Sequence, residues 1–83
     1  MRILVVEDEP GIAQALERGL TADGFAVDVA NNGVDGLHLA RTNPYGAIIL
    51  DIMLPGMNGY VVCRELRDEE NWTPIVMLSL IHI

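Results

Sequence analysis

Carboxylates follow two short apolar runs of the sequence, at the point where each run stops. Glu7 and Asp8 come directly after residues 3–6, and Asp51 comes directly after residues 47–50. Short apolar runs that end at turn residues are typical of strands buried on both faces of a parallel sheet. Three acids at neighbouring strand ends would repel one another. A divalent cation such as Mg2+, which prefers oxygen ligands, would relieve that repulsion.

The chemistry open to such a site is the transfer of a phosphoryl group. A carboxylate held beside a cation can act as a nucleophile toward phosphorus and form an aspartyl phosphate. Ser79 ends another apolar run, and its hydroxyl would help to neutralise charge on the transferring phosphoryl oxygens. In the alternative interpretation, Asp51 only caps the loop or helix that follows it. The convergence of several oxygen ligands favours the chemical interpretation.

An alternation of strands and helices must bring these side chains together. Strands are expected at residues 3–6, 25–30, 47–50 and 75–78, with helices between them that begin near residues 10, 33 and 60. This order predicts an α/β fold, a doubly wound parallel sheet with right-handed crossovers and helices on both faces. The second strand places a charged Asp28 between apolar neighbours, so we expect it at the sheet edge, which gives the strand order 2-1-3-4. The first and third strands then end side by side, where open α/β sheets bind ligands.

Length and composition exclude several classes of protein. The chain has 83 residues, enough for one small domain, with 12 acidic residues against 5 arginines and a net charge of -7. This charge repels phosphate backbones, so we expect no nucleic-acid binding by this segment. The longest apolar block, residues 75–81, is interrupted only by Ser79 and is too short to span a bilayer, and acids at positions 7–9 interrupt any signal peptide. We therefore expect a cytoplasmic protein with no membrane partner. Cys63 stands alone, which excludes an internal disulfide.

Three segments of the chain together resemble the receiver domain of bacterial response regulators. They are VVEDEP, which contains Glu7 and Asp8, LDIMLPGMNG, which contains Asp51, and TPIVMLS, which ends at Ser79. Their order and spacing are specific to this family, and the resemblance covers residues 1–79. The segment GYVVCRELR is most similar to the branch whose receivers precede a winged-helix DNA-binding domain. The resemblance implies a flavodoxin-like fold and a two-component switch that accepts a phosphoryl group from a sensor histidine kinase.

The resemblance also implies which residues form the site. By position, Asp51 is the phosphoryl acceptor and, together with Asp8, a ligand of Mg2+. The backbone carbonyl of Met53 would complete the protein's share of the metal shell. Glu7 would lie close to the metal, bound to it directly or through water.

Three further residues correspond to parts of the switch and of the loop after the acceptor. Ser79 matches the hydroxyl residue that turns toward the phosphoryl group when the domain switches. Pro55 and Gly59 match residues that shape the loop and hold Asp51 in reach. The family also pairs the phosphoryl group with a lysine of its fifth strand, and this sequence contains no lysine.

The sequence departs from the family after the fourth strand. The family continues through a fourth helix, a fifth strand and a fifth helix, so we expect a truncated, partial receiver domain at residues 1–79 and a non-family tail at residues 80–83. An exposed edge on the fourth strand would then favour self-association. We expect phosphotransfer to be impaired. The chain is not expected to be an enzyme beyond Mg2+-dependent self-phosphorylation and dephosphorylation at Asp51.

Two other functions stay open. A phosphohydrolase would form an aspartyl-phosphate intermediate, but such enzymes usually carry a second acid two residues after the nucleophile, where this chain has Met53. An interaction fragment that is not phosphorylated would instead dock onto partners, or onto itself, through the open edge of the sheet.

Overall fold

Four parallel strands and three helices alternate along the chain. The computed structural model describes residues 1–78, so Ser79 and the predicted tail at residues 80–83 lie outside the described residues. The elements are β1 (Arg2–Val6), α1 (Pro10–Ala22), β2 (Ala26–Ala30), α2 (Gly33–Thr42), β3 (Ala47–Asp51), α3 (Gly59–Asp68) and β4 (Ile75–Leu78). The strands form one sheet in the order β2-β1-β3-β4, which confirms the predicted fold, strand order and edge position of β2. None of these three helices is long and apolar enough to cross a bilayer.

Side-chain caps fix where the helices begin. The Glu9 carboxylate accepts the N–H of Ile12 at 2.8 Å at the start of α1. The side-chain oxygens of Asn32 and Asn58 accept backbone N–H groups in the same way at the starts of α2 and α3. These caps satisfy N–H groups that have no partner inside the helix. The chain leaves α1 through Gly24, whose φ of 93° is a left-handed conformation that glycine adopts without strain.

The two faces of the sheet are covered to different extents. On one face, α2 and α3 pack over Leu4, Ile48 and Leu50, which are fully buried. On the other face, α1 contacts β1 and β2, and Val5 is fully buried there. Val76 of β4 also lies on this second face, and it is 54% exposed. Parallel sheets normally have both faces covered, so the β4 side of the second face stands open within residues 1–78.

Candidate metal centre

Three acidic side chains meet at the carboxyl edge of the sheet. β1 and β3 are adjacent parallel strands with Val6 opposite Leu50, so both strands end at the same edge. Glu7 and Asp8 follow β1, and Asp51 is the last residue of β3. One carboxylate oxygen from each of these acids lies within 4.8 Å of the other two. The structure thus brings together the three acids that the sequence places at this edge, while their chemical roles stay predictions.

The three acids differ in burial and in hydrogen bonding. Glu7 is 1% exposed and Asp51 is 0% exposed, whereas Asp8 faces solvent. Glu7 Oε2 accepts the N–H of Glu9 at 3.0 Å, and Asp51 Oδ1 accepts the N–H of Met53 at 3.2 Å. The other oxygen of each buried carboxylate, Glu7 Oε1 or Asp51 Oδ2, has no hydrogen-bond partner within residues 1–78. Burying a carboxylate oxygen without a partner costs free energy, so these two atoms favour binding of a cation.

The side-chain oxygen ligands that this cluster offers are of the kind that Mg2+ binds. All three are carboxylates, and Mg2+ prefers oxygen ligands in an octahedral shell that keeps several water molecules. The buried pair, Glu7 and Asp51, offers the two unpaired oxygens. The exposed Asp8 leaves the solvent side of the site accessible to water. The donor chemistry and the unpaired oxygens are therefore both consistent with a magnesium site.

Burial raises the pKa of Glu7 to about 7, well above the ordinary value of 4.5. Loss of solvation is the largest cause, and the N–H of Glu9 opposes it by stabilising the ionised form. Interactions with the side chains of Asp8 and Asp51 raise the pKa further. Without a cation, Glu7 is therefore partly protonated near neutral pH.

The loop between β3 and α3 shapes the surroundings of Asp51. The N–H of Gly59 donates to the carbonyl of Ile52 at 2.9 Å, and a Cβ at Gly59 would collide with the backbone carbonyl oxygen of Asp51. Only glycine permits this close approach of two backbones. The carbonyl of Pro55 accepts the N–H of Met57 at 3.0 Å, which tightens the loop. Pro55 and Gly59 thus both make contacts within the loop that follows Asp51.

Two residues beside the site were not among the predicted site residues. Glu9 holds Glu7 through its N–H and caps α1 with its side chain. Pro10, a residue favoured at the first helical position, is the sequence signal that indicates a helix start directly after Glu9. Gly33, predicted only as part of a helix start, lies against the loop after Asp51 and donates its N–H to the carbonyl of Pro55 at 3.5 Å. No spacing in the sequence indicates that contact.

The switch hydroxyl and the cationic partner that the resemblance implies are Ser79 and a lysine. Ser79 lies outside the described residues, so its position relative to Asp51 stays a prediction. The sequence contains no lysine. The salt bridges formed within residues 1–78 involve Arg2 and Arg41, and neither arginine pairs with an acid of the cluster.

Comparison with known proteins identifies the family. The family described as "Response regulator receiver domain" matches residues 3–82. Transcriptional regulatory protein CusR of Escherichia coli K12 is 49% identical over 79 residues, which are 95% of this chain and 35% of that protein. The chain therefore spans about a third of the length of the curated relatives that it matches. That CusR is a transcriptional regulator agrees with the predicted branch of the family.

Solved structures give the same result at the level of the fold. The receiver domain of Francisella response regulator 1452 superposes with a TM-score of 0.93 at 32% identity, covering 99% of this chain and 68% of that one. Response regulator TrrA of Thermotoga maritima, solved in complex with Mg(2+)-BeF, has a TM-score of 0.87 at 38% identity and covers 92% and 66%. TrrA has also been solved in complex with histidine kinase ThkA. By sequence and by fold, the chain belongs to the response regulator receiver domain family.

Proposed function

We propose that this chain is the phosphoacceptor receiver of a two-component response regulator. In this proposal, Asp51 accepts a phosphoryl group from the phosphohistidine of a sensor kinase. The observation that carries the proposal is Asp51 Oδ2, a fully buried carboxylate oxygen without a hydrogen-bond partner beside two further acids. The related TrrA supports it, because that protein was solved both with Mg(2+)-BeF and with a histidine kinase.

The residues around Asp51 would have different roles in the phosphoryl transfer. The N–H of Met53 holds the Asp51 carboxylate through Oδ1. One oxygen of that carboxylate would ligate the cation, and the other would attack phosphorus. That oxygen would supply an electron pair to phosphorus while the P–N bond of phosphohistidine breaks, and the electrons of that bond would stay on the imidazole nitrogen. The result is an acyl phosphate on Asp51 and a free histidine on the kinase.

Glu7, Asp8, Asp51 and the backbone carbonyl of Met53 would hold Mg2+, with Glu7 bound directly or through water. The cation, when bound, supplies positive charge that offsets the carboxylates and the phosphoryl oxygens. Such charge matters here because the cluster itself contributes only acids. Phosphoryl oxygens brought to this cluster without a cation would be repelled by its ionised carboxylates.

Phosphotransfer is expected to be slow in this chain. The reason is that the sequence has no lysine to pair with the phosphoryl group. Ser79 is the hydroxyl that the resemblance assigns to the switch. We expect at most self-phosphorylation and dephosphorylation at Asp51 rather than turnover of a substrate. A phosphohydrolase is less well supported, because Met53 stands where such an enzyme usually carries its second acid. The acidic net charge supports a segment that does not bind nucleic acid itself.

Intact-mass measurement tests the proposal directly. The chain is incubated with Mg2+ and acetyl phosphate, a small acyl phosphate donor, and the expected product carries one phosphoryl group at low yield. Asp51→Asn and an excess of chelator should each abolish the modification. Unchanged phosphorylation of Asp51→Asn would refute the assignment of the acceptor. Rapid and complete modification of the wild type would show instead that the lysine is dispensable.

Self-association is a second property that a specific observation favours. β4 pairs with β3 on one side only within the described residues, and Val76 on it is half exposed. An open apolar edge of a parallel sheet is a template for association with another chain. We therefore propose that copies of this chain associate through β4 and the open face beside it.

A further inference from the structure

The first turn of α2 lies against the loop that follows Asp51. A Cβ added to Gly33 would collide with the backbone carbonyl oxygen of Met57 and would lie 2.8 Å from the carbonyl carbon. The N–H of Gly33 also donates to the carbonyl of Pro55 at 3.5 Å. Because the atoms in the way belong to the backbone, no change of side-chain rotamer can make room for a larger residue. The loop and the helix fit together only with glycine at this position.

The conformation of Gly33 itself does not require glycine. The glycines with positive φ within residues 1–78 are Gly24 and Gly56, so Gly33 lies in a region that other residues adopt readily. The start of α2 is already fixed by Asn32, whose side chain accepts the N–H of Asp35 at 2.8 Å. Neither backbone geometry nor capping therefore explains a glycine here. The close approach to Met57 does.

The same loop connects this contact with the acceptor. It begins after Asp51, and its first part includes Met53, whose N–H donates to Asp51 Oδ1. It ends at Gly59, which packs against the backbone of Asp51. If Met57 is displaced, the backbone between Asp51 and Gly59 must change its conformation. The hydrogen bond from Met53 to Asp51 lies within that short stretch.

We propose that Gly33 is a positioning residue for the acceptor site. By allowing α2 to approach Met57, it seats the loop so that the Met53 N–H reaches Asp51 Oδ1 and the Met53 carbonyl is available to a cation. The inference rests on the proposed function for the metal, but the contact with Asp51 is a property of the metal-free protein. Gly33 acts through the loop and touches neither the metal ligands nor the phosphoryl group.

Gly33→Ala in the full chain tests this inference by two measurements. In metal-free protein, the amide resonances of Met53 and Gly59 should shift when followed by nuclear magnetic resonance. In a calorimetric titration with Mg2+ at a pH of about 8, the Kd should rise by about tenfold or more, as is typical when groups that orient metal ligands are altered.

Two control variants separate positioning from stability. Gly19→Ala is also a glycine-to-alanine change in a helix, but a Cβ at Gly19 meets no atom within 4 Å. Ile48→Val removes one methyl group from the core and destabilises the fold at a position in β3 rather than in the loop. Both controls should bind Mg2+ with the affinity of the wild type.

Each outcome decides one question. If Gly33→Ala leaves the Met53 amide and the Mg2+ affinity unchanged, Gly33 does not position the site. If Ile48→Val weakens Mg2+ binding as much as Gly33→Ala does, the loss reflects stability, and the inference is also wrong. If the wild type does not bind Mg2+, the proposed metal site fails, and the metal-free amide shifts alone decide the role of Gly33.

Discussion

The ionisation of Glu7 makes the charge of the acidic cluster depend on pH. Its folded pKa of about 7 lies above the ordinary value of 4.5, chiefly because burial opposes ionisation. The metal-free folded protein therefore holds this proton more tightly than the unfolded chain does. The resulting stabilisation is fully present below pH 4.5 and is lost as the pH rises through 7.

The first prediction is that the stability of the metal-free protein decreases as the pH rises through the pKa of Glu7. In chelator, the free energy of unfolding should fall between a pH of about 5 and about 8, with a contribution from Glu7 on the order of 3 kcal/mol at most. Glu7→Gln cannot ionise and should lack that part of the dependence. Urea denaturation of both proteins across this range measures the difference. Parallel curves for the two proteins would contradict the assignment to Glu7.

The second prediction concerns the cation. Mg2+ binds ionised carboxylates, so binding should release the proton of Glu7, and the affinity should increase as the pH rises through 7. Calorimetric titrations at a pH of about 6.5, in buffers with different ionisation enthalpies, count the protons released. Glu7→Gln should release fewer protons than the wild type does. Equal proton release by the two proteins would mean that another group supplies the proton.

Among the helices, α3 ends in an unusual way. Glu70 has a φ of 60°, a left-handed conformation that glycine usually occupies at this position. Its N–H donates to the carbonyl of Arg67 at 3.0 Å, and the N–H of Asn71 donates to the carbonyl of Leu66 at 2.8 Å. These bonds close the helix, and they hold a glutamate in a conformation that costs free energy.

The third prediction is that Glu70→Gly stabilises the protein. Removing the strain at φ 60° should raise the free energy of unfolding by about 1 kcal/mol. Glu70→Gln is the matched control, because it removes the same negative charge from the helix end but keeps a Cβ. Denaturation of the three proteins in parallel measures the two effects. A glutamine variant as stable as the glycine variant would assign the gain to charge alone.

At the scale of the whole molecule, the unequal covering of the sheet is the main feature. The face under α2 and α3 contains a continuous cluster of buried residues, whereas the β4 side of the other face is open within residues 1–78. Ile49 and Val76, which are paired across β3 and β4, lie on that open side. Exposed apolar surface at a sheet edge favours association.

The fourth prediction tests where association occurs. Val76→Lys should shift the chain toward monomer in sedimentation velocity at concentrations where the wild type associates, because burying a lysine at the contact is costly. Val34→Lys makes the same change on α2, and Val34 is 55% exposed, close to the 54% of Val76. The control should associate as the wild type does. Equal loss of association in both variants would point to an effect of charge rather than to the β4 edge.

The sequence by itself determined the elements of this protein and the edge at which its acids gather. Apolar runs and turn residues predict strand and helix positions because local burial and backbone preference act within a few residues. The predicted bounds accordingly differ from the observed ones by about one residue, as at Arg2 of β1 and Gly59 of α3. The charged Asp28 was enough to place β2 at the edge, from which the strand order followed.

Only the tertiary structure decided how the three acids differ and what seats the loop beside them. Glu7 and Asp8 are neighbours in the sequence, yet one is buried with an unpaired oxygen and the other faces solvent. The approach of Gly33 to Met57 joins segments that are distant along the chain. Burial and contact of this kind depend on how separate elements pack, and no spacing within one element specifies that packing.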